Sequence, residues 1–129
     1  MAKVLIVEDE EQVRVLAESY LREQGHSTLS AATSTEALAA LGVADGVDLL
    51  FVDIGLRDDP HAGLNLAKEA RQRNPNLKIL YVTGQSVTDG MKALMVEGSA
   101  LLQKPYTVEQ LQHSLTVHFR IGPKARAND

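Results

Sequence analysis

Glu8, Asp9, Asp53, Thr83 and Lys104 have the side chains needed to hold a hard cation and handle a phosphoryl group. Each lies at the end of a short apolar run. Lys3-Val4-Leu5-Ile6-Val7 ends on Glu8-Asp9-Glu10-Glu11, and Leu49-Leu50-Phe51-Val52 ends on Asp53. Leu77-Lys78-Ile79-Leu80-Tyr81-Val82 ends on Thr83-Gly84, and Ala100-Leu101-Leu102-Gln103 ends on Lys104-Pro105. Carboxylates brought together repel one another unless a proton or a cation offsets them. Oxygen donors without His or Cys favour a hard cation. Mg2+ suits best, because it takes one or two carboxylates and keeps waters that a phosphate can replace. Lys104 supplies a compact positive charge for a phosphoryl oxygen. Thr83 supplies a hydroxyl donor, and the amide of Gly84 allows close approach. These are the parts required for in-line transfer of a phosphoryl group onto Asp53. Taken singly, each residue has a plainer reading. Asp53 would start a turn, Glu8 and Asp9 would be first-turn helix acids, Thr83 an ordinary strand-end hydroxyl and Lys104 a solvated loop lysine. The agreement of four strand ends favours the joint reading. Asp58 and Asp59 read as solvated loop acids. His26, His61, His113 and His118 show no ligand spacing with acids and receive no role.

The elements that must position these residues follow from hydrophobic period. Val13, Leu16, Ala17, Tyr20 and Leu21 recur at helical spacing, and Gly25 stands where a helix commonly ends. His26 to Ala31 reads as a short, weaker strand. Thr33-Ser34-Thr35-Glu36 is a capping box opening a helix through Leu38 and Leu41 that stops at Gly42. After the Asp53 strand, Gly55 to Ala62 is a polar loop. A helix follows with Leu64, Ala67 and Ala70 inward, ending before Asn74-Pro75 because a residue preceding proline avoids the helical region. Val87, Met91, Leu94 and Met95 mark another helix, weakened by Gly90 and capped at Gly98. Thr107-Val108-Glu109-Gln110 is a second capping box, with Val108, Leu111, Leu115 and Phe119 as the inner stripe of the last helix. Strand and helix thus alternate five times. That pattern predicts an α/β fold: a parallel sheet, helices on both faces and right-handed crossovers. The carboxyl ends of all strands then point to one edge, where such sheets form their ligand crevice.

Composition bounds the rest. The 129 residues suffice for one domain with a proper core, and 44% hydrophobic with 23% charged residues is ordinary for a globular protein. A net charge of -4 with no Lys/Arg cluster argues against a nucleic-acid partner. The absence of cysteine excludes disulfides, thiol catalysis and Cys-based metal sites, and fits a cytoplasmic location. The apolar run after Met1-Ala2 is too short for a signal peptide or a membrane span. No Gly-rich loop follows the first strand, which argues against a flavin or dinucleotide protein. No lid or substrate-binding insertion suggests a small-molecule phosphatase.

These residues together carry a family likeness. From Lys3 to about Phe119 the chain resembles the receiver domain of two-component response regulators, the CheY-like superfamily. The likeness rests on Glu8-Asp9, Asp53, Thr83-Gly84 and Lys104-Pro105. It implies a flavodoxin-like, doubly wound (βα)5 fold with strand order 2-1-3-4-5, an order that the general rule for such sheets illustrates with a member of this same family. It implies Asp53 as phospho-acceptor, Glu8, Asp9 and Asp53 with the backbone carbonyl of Gly55 as Mg2+ ligands, and Thr83 and Lys104 as holders of the phosphoryl oxygens. The donor would be a phosphohistidine on a sensor histidine kinase or phosphotransfer protein. The domain would span 1–120, with 121–129 a flexible tail, and would act as a monomer or weak dimer. It would not be an enzyme beyond its own Asp phosphorylation and dephosphorylation.

The chain departs from the family's pattern in places. The usual aromatic switch residue, three positions before the lysine, is Leu101 here, which cannot report a change by rotating a ring inward. Arg57 stands where the loop normally has proline, and Gly63 arrives about two residues late. This loop and Leu102-Gln103-Lys104-Pro105-Tyr106 resemble receivers of hybrid sensor kinases. The likeness further implies that Gly55 and Gln85 tune the lifetime of the phosphorylated state, and that the fourth helix, fifth strand and fifth helix form a contact surface. The tail after Phe119 is too short for a helix-turn-helix. The expectation is therefore a stand-alone regulator, a phosphorelay intermediate or the receiver of a hybrid histidine kinase. The alternative is a degenerate receiver, a binding module that needs no phosphate.

Overall fold

The computed structural model describes residues 2–56 and 59–122. Asp58, Arg57 and the tail beyond residue 122, all singled out in the sequence, lie outside the described residues. Chain order is β1 (Lys3–Val7), α1 (Glu11–Glu23), β2 (Ser27–Ala31), α2 (Ser34–Val43), β3 (Leu49–Asp53), α3 (Ala62–Arg73), β4 (Lys78–Thr83), α4 (Asp89–Leu94), β5 (Ala100–Gln103) and α5 (Val108–Phe119). The strands form one sheet in the order β2-β1-β3-β4-β5, and every pairing is parallel. The flavodoxin-like order expected from the sequence is the order observed.

Alternation along each strand divides the core into two layers. Leu5 and Val7 of β1 and Leu50 and Val52 of β3 face Ala37 of α2, Leu64, Ala67 and Ala70 of α3 and Met91 of α4. Val4, Ile6, Leu49 and Phe51 face Ala17 and Leu21 of α1 and Leu111, Leu115 and Phe119 of α5. All of β3 is buried, as a central strand covered on both faces requires. Each fully buried aliphatic side chain contributes roughly 1.5–3 kcal/mol, so the sheet is anchored from both sides.

Local chemistry sets the helix ends. At α5 the Thr107 hydroxyl accepts from the Gln110 amide and the Gln110 side chain accepts from the Thr107 amide, at 3.1 and 2.8 Å, completing the expected box. At α2 the Thr33 hydroxyl caps Glu36, but the Glu36 carboxylate reaches the Ala32 amide, one residue outside the cap. Helix α2 runs through Gly42 to Val43 rather than stopping there. The expectation that Gly98 caps α4 is corrected. The helix ends at Leu94, and Gly98, with φ 76°, belongs to the turn into β5. Helix α4 buries only Met91, and Leu94 is 52% exposed, so no continuous apolar stripe extends it. The inward assignment of Val108 is also corrected, since it is 50% exposed, and Leu16 of the α1 spacing is 71% exposed, because Ala17, Leu21 and Leu111 fill the contact between α1, α5 and the sheet.

Two buried positions decide local geometry. A Cβ at Gly63 would lie 2.0 Å from the carbonyl oxygen of Asp53, and the Gly63 amide donates to the Ile54 carbonyl at 2.7 Å. The first turn of α3 thus packs directly on the end of β3, and only glycine fits. His26 is buried at the opposite edge of the sheet. Its Nδ1 accepts from the Ala2 amide at 3.0 Å, while Nε2 has no partner among the described residues. Burial, with the N-terminal amine adding to it, lowers its pKa from the ordinary 6.5.

We expect Gly63→Ala to lower unfolding stability in urea by about 3 kcal/mol, the upper range for overpacking against backbone. Gly42→Ala, whose added Cβ meets nothing within 4 Å, should instead stabilise α2 by about 0.5–1 kcal/mol. His26 adds a pH dependence of definite sign. A base whose folded pKa is lowered is neutral in both states above its unfolded value, so it has no effect there. Below about 6.5 the unfolded chain binds the proton first, so stability falls with acidification. Urea midpoints from pH 7 to pH 5 should fall less steeply in His26→Asn, which retains an acceptor for Ala2.

Candidate functional site

The carboxyl ends of β1, β3, β4 and β5 form one edge, and the sequence-selected residues converge there. Glu8 follows β1 and is 2% exposed. Its amide donates to the Ala31 carbonyl at the end of β2, its carbonyl accepts from Arg14 Nη1 at 2.9 Å, and its carboxylate accepts from the Glu10 amide at 3.1 Å. Because α1 begins at Glu11 with Glu10 as its N-cap, Glu8 and Asp9 precede the helix and are not first-turn acids. Asp53 ends β3 and is 8% exposed. Its Oδ1 accepts from the Gly55 amide at 3.1 Å.

Lys104 ties these strand ends together. Its Nζ lies 2.5 Å from Glu8 Oε1, 2.8 Å from Asp53 Oδ2 and 3.8 Å from Glu10 Oε1. Its amide donates to the Thr83 carbonyl at 2.7 Å, so the lysine is held by the last residue of β4. Thr83 is buried, and its hydroxyl accepts from the Gln85 amide at 3.1 Å. A Cβ at Gly84 would come into ordinary contact with the Lys104 stem, 3.9 Å from its Cβ.

The electrostatics follow from one amine set among acids. Burial pushes the Glu8 carboxyl up to about 7, against the lowering effect of its bond to Lys104. The Lys104 amine is raised despite its own burial, because it is bonded to both Asp53 and Glu8. Ligand atoms of Glu8, Asp9 and Glu10 all lie within 4.8 Å of one another. This edge therefore carries an excess of negative charge, and its donors are all carboxylate oxygens. That chemistry fits a hard divalent cation such as Mg2+.

Three neighbours did not figure in the sequence reading of the site. Glu10 joins the carboxylate group, a role hinted at by the acid run from Glu8 to Glu11. Arg14 fixes the Glu8 backbone, and nothing in its spacing indicates that. Tyr106 packs edge-on against Phe51, with ring centroids 6.1 Å apart, and burial near Glu8 pushes its phenol up to about 12. Beside Lys104, an open apolar groove is lined by Val13, Leu16, Tyr20, Tyr106 and Val108, which accounts for the exposure of Leu16 and Val108.

Comparison with known proteins agrees with this geometry. The family model described as the response regulator receiver domain matches residues 4–116. A response regulator of NtrX-like type from Rickettsia conorii is 29% identical over 126 residues, covering 97% of this chain and 26% of its own. The sensor kinase CckA of Brucella abortus is 30% identical over 112 residues, covering 85% of this chain and 12% of its own. The chain thus spans about a quarter or less of the length of these relatives. The response regulator protein TrrA from Thermotoga maritima, solved in complex with Mg2+-BeF, is 25% identical. It superposes with a TM-score of 0.77, covering 92% of this chain and 100% of that one.

Lys104→Met should cost about 3 kcal/mol of unfolding stability at pH 7, because it leaves buried carboxylates without their cation. Asp53→Asn should cost less than about 1 kcal/mol, since Asn keeps an acceptor for Gly55 and removes a charge like that of Glu8. Paired urea titrations of the two variants test this ordering.

Proposed function

The chain belongs to the response regulator receiver domain family, and on that premise we propose that it is a phospho-accepting module in which Asp53 takes a phosphoryl group from a phosphohistidine. The family is a signalling family rather than one of classical enzymes. The observation that carries the proposal is the placement of Lys104 Nζ between the carboxylates of Glu8 and Asp53. That placement joins three strand ends into one charged site with an acceptor oxygen at its centre.

In this reading an Asp53 carboxylate oxygen attacks phosphorus. The O–P bond forms as the N–P bond to the donor imidazole breaks, and the imidazole leaves, taking a proton from solvent. The Gly55 amide holds the other carboxylate oxygen and orients the nucleophile. Lys104 passes from Asp53 Oδ2 to a phosphoryl oxygen, exchanging one anionic partner for another. The Thr83 hydroxyl donates to a second phosphoryl oxygen. Glu8, Asp9 and Asp53, with the Gly55 carbonyl, would hold Mg2+. When bound, the ion supplies positive charge to the phosphoryl oxygens. Glu10 raises the local negative charge that attracts such a cation.

The donor is a sensor histidine kinase or a histidine phosphotransfer protein, and one that presents its histidine to Asp53 would cover the apolar groove beside Lys104. The protein acts as a monomer or weak dimer through protein contacts in the cytoplasm. No helix among the described residues is long and apolar enough to cross a membrane.

Intact-mass spectrometry after incubation with acetyl phosphate tests the proposal. The expected result is one phosphoryl adduct that requires Mg2+ and is lost in Asp53→Asn. Failure to label, under conditions that label a known receiver, would leave a phosphate-independent binding module instead.

A further inference from the structure

Position 101 holds a leucine, half-buried against the core layer shared with α3 and α4. Its direct cross-strand partner is Tyr81 of β4, a fully buried aromatic residue in that same layer. The Tyr81 hydroxyl accepts from the Val96 amide at 3.0 Å. Val96 lies in the connection between α4 and β5. Its carbonyl accepts from the Ser99 hydroxyl at 2.7 Å, and Arg71 of α3 donates to the neighbouring Glu97 carbonyl at 2.9 Å. Tyr81 thus holds the residue around which this turn is built.

Thr83 stands two residues further along β4 and so points to the same sheet face as Tyr81. Its hydroxyl holds the Gln85 amide in the loop that leads into α4. The two connections flanking α4 are therefore tied to one face of one strand. Between these ties α4 has six residues and a single buried side chain, Met91. A helix this short has little stability of its own, and its position depends on the two anchors.

We propose that Tyr81 is the positioning residue that couples the phosphoryl site to the α4–β5 connection, the part that Leu101 cannot play. The proposal rests on the reading of Asp53 as phospho-acceptor. When the Thr83 hydroxyl turns toward a phosphoryl oxygen on Asp53, the β4–α4 loop shifts. The Tyr81–Val96 bond then links the α4–β5 connection to that shift as α4 and its exposed Leu94 reorient. Burial raises the Tyr81 pKa above its ordinary value. Leucine at 101 fills volume beside the ring and makes no directional bond. An element with two positions, biased from both ends, is the physical requirement for such coupling.

The test is amide hydrogen exchange across residues 88–99, with and without Mg2+ and beryllofluoride, alongside intact-mass measurement of the acetyl phosphate adduct. In Tyr81→Phe the resting exchange at Val96 should rise about fivefold, as expected for one lost neutral hydrogen bond. The adduct yield should equal that of the wild type. The activation-dependent difference at residues 95–99 should fall below about a third of the wild-type difference. A merely structural role would speed exchange equally in both states and leave that difference intact, which would overturn the proposal. Val96→Pro removes the donor while keeping the phenol, and Met95, at φ -72° and ψ 141°, already has the conformation that precedes proline. It should show the same loss at 97–99, and it decides the matter if Tyr81→Phe fails to fold. A wild type that forms the adduct but shows no exchange difference also overturns the proposal. A wild type that forms no adduct overturns the phospho-acceptor reading, and this proposal with it.

Discussion

The ammonium of Lys104 between Glu8 and Asp53 is the interaction on which the carboxyl edge of the sheet depends. Two carboxylates largely withdrawn from water would each cost several kcal/mol if left unpaired. One amine serves both, and burial still raises the Glu8 carboxyl to about 7 against the lowering effect of its bond to Lys104. The edge is therefore stable enough to fold yet short of positive charge. A site in that condition suits a hard divalent cation. The Gly55 amide and the Lys104 amine each hold one oxygen of the Asp53 carboxylate.

That arrangement requires backbone accuracy, which the parallel sheet supplies. Lys104 reaches Asp53 only because its amide is fixed to the Thr83 carbonyl, and Thr83 ends a strand in register with β3 on one side and β5 on the other. Glu8 is fixed through Ala31 of β2 and Arg14 of α1. Gly63 completes the frame by letting the first turn of α3 sit directly on the Asp53 and Ile54 backbone. The loop after Asp53 therefore starts and finishes against the same strand end, whatever its sequence between.

Much of this was legible in the sequence, for physical reasons. Apolar runs ending on Glu8, Asp53, Thr83 and Lys104 identify buried parallel strands, and topology alone sends their ends to one edge. The fold class and the convergence of those residues followed from that pattern, and the strand order from the family likeness. Where inference from period failed, the cause was neighbouring volume. Leu16 and Val108 have helical spacing, but Ala17 and Leu111 already occupy the contact, so Leu16 and Val108 face a groove. Gly98 looks like a helix cap only if α4 has enough buried residues to reach it, and Met91 alone does not carry it that far. Tyr81 and His26 act through long-range hydrogen bonds to backbone atoms, and Arg14 through one to the Glu8 carbonyl six residues back. Such bonds leave no periodic trace and become visible only in three dimensions.

The leucine at 101 shows how the same constraint can be met by a different residue. The coupling proposed for Tyr81 needs a group that shares a sheet face with the strand-end hydroxyl and can hold a backbone amide of the segment that moves. Any residue on that face with a long reach and a neutral acceptor satisfies the requirement. Tyr81 has both, from the strand adjoining Leu101 and two residues from Thr83. Its position inside β4 makes it stiffer than a side chain on the edge strand β5, since it is paired on both sides. Rigidity there transfers the burden of movement to α4, the shortest of the helices. Low local stability is what allows a helix to change position at small energetic cost. The shortness of α4 and the buried phenol beneath its far end are then two parts of one solution: a rigid anchor and a loosely held lever.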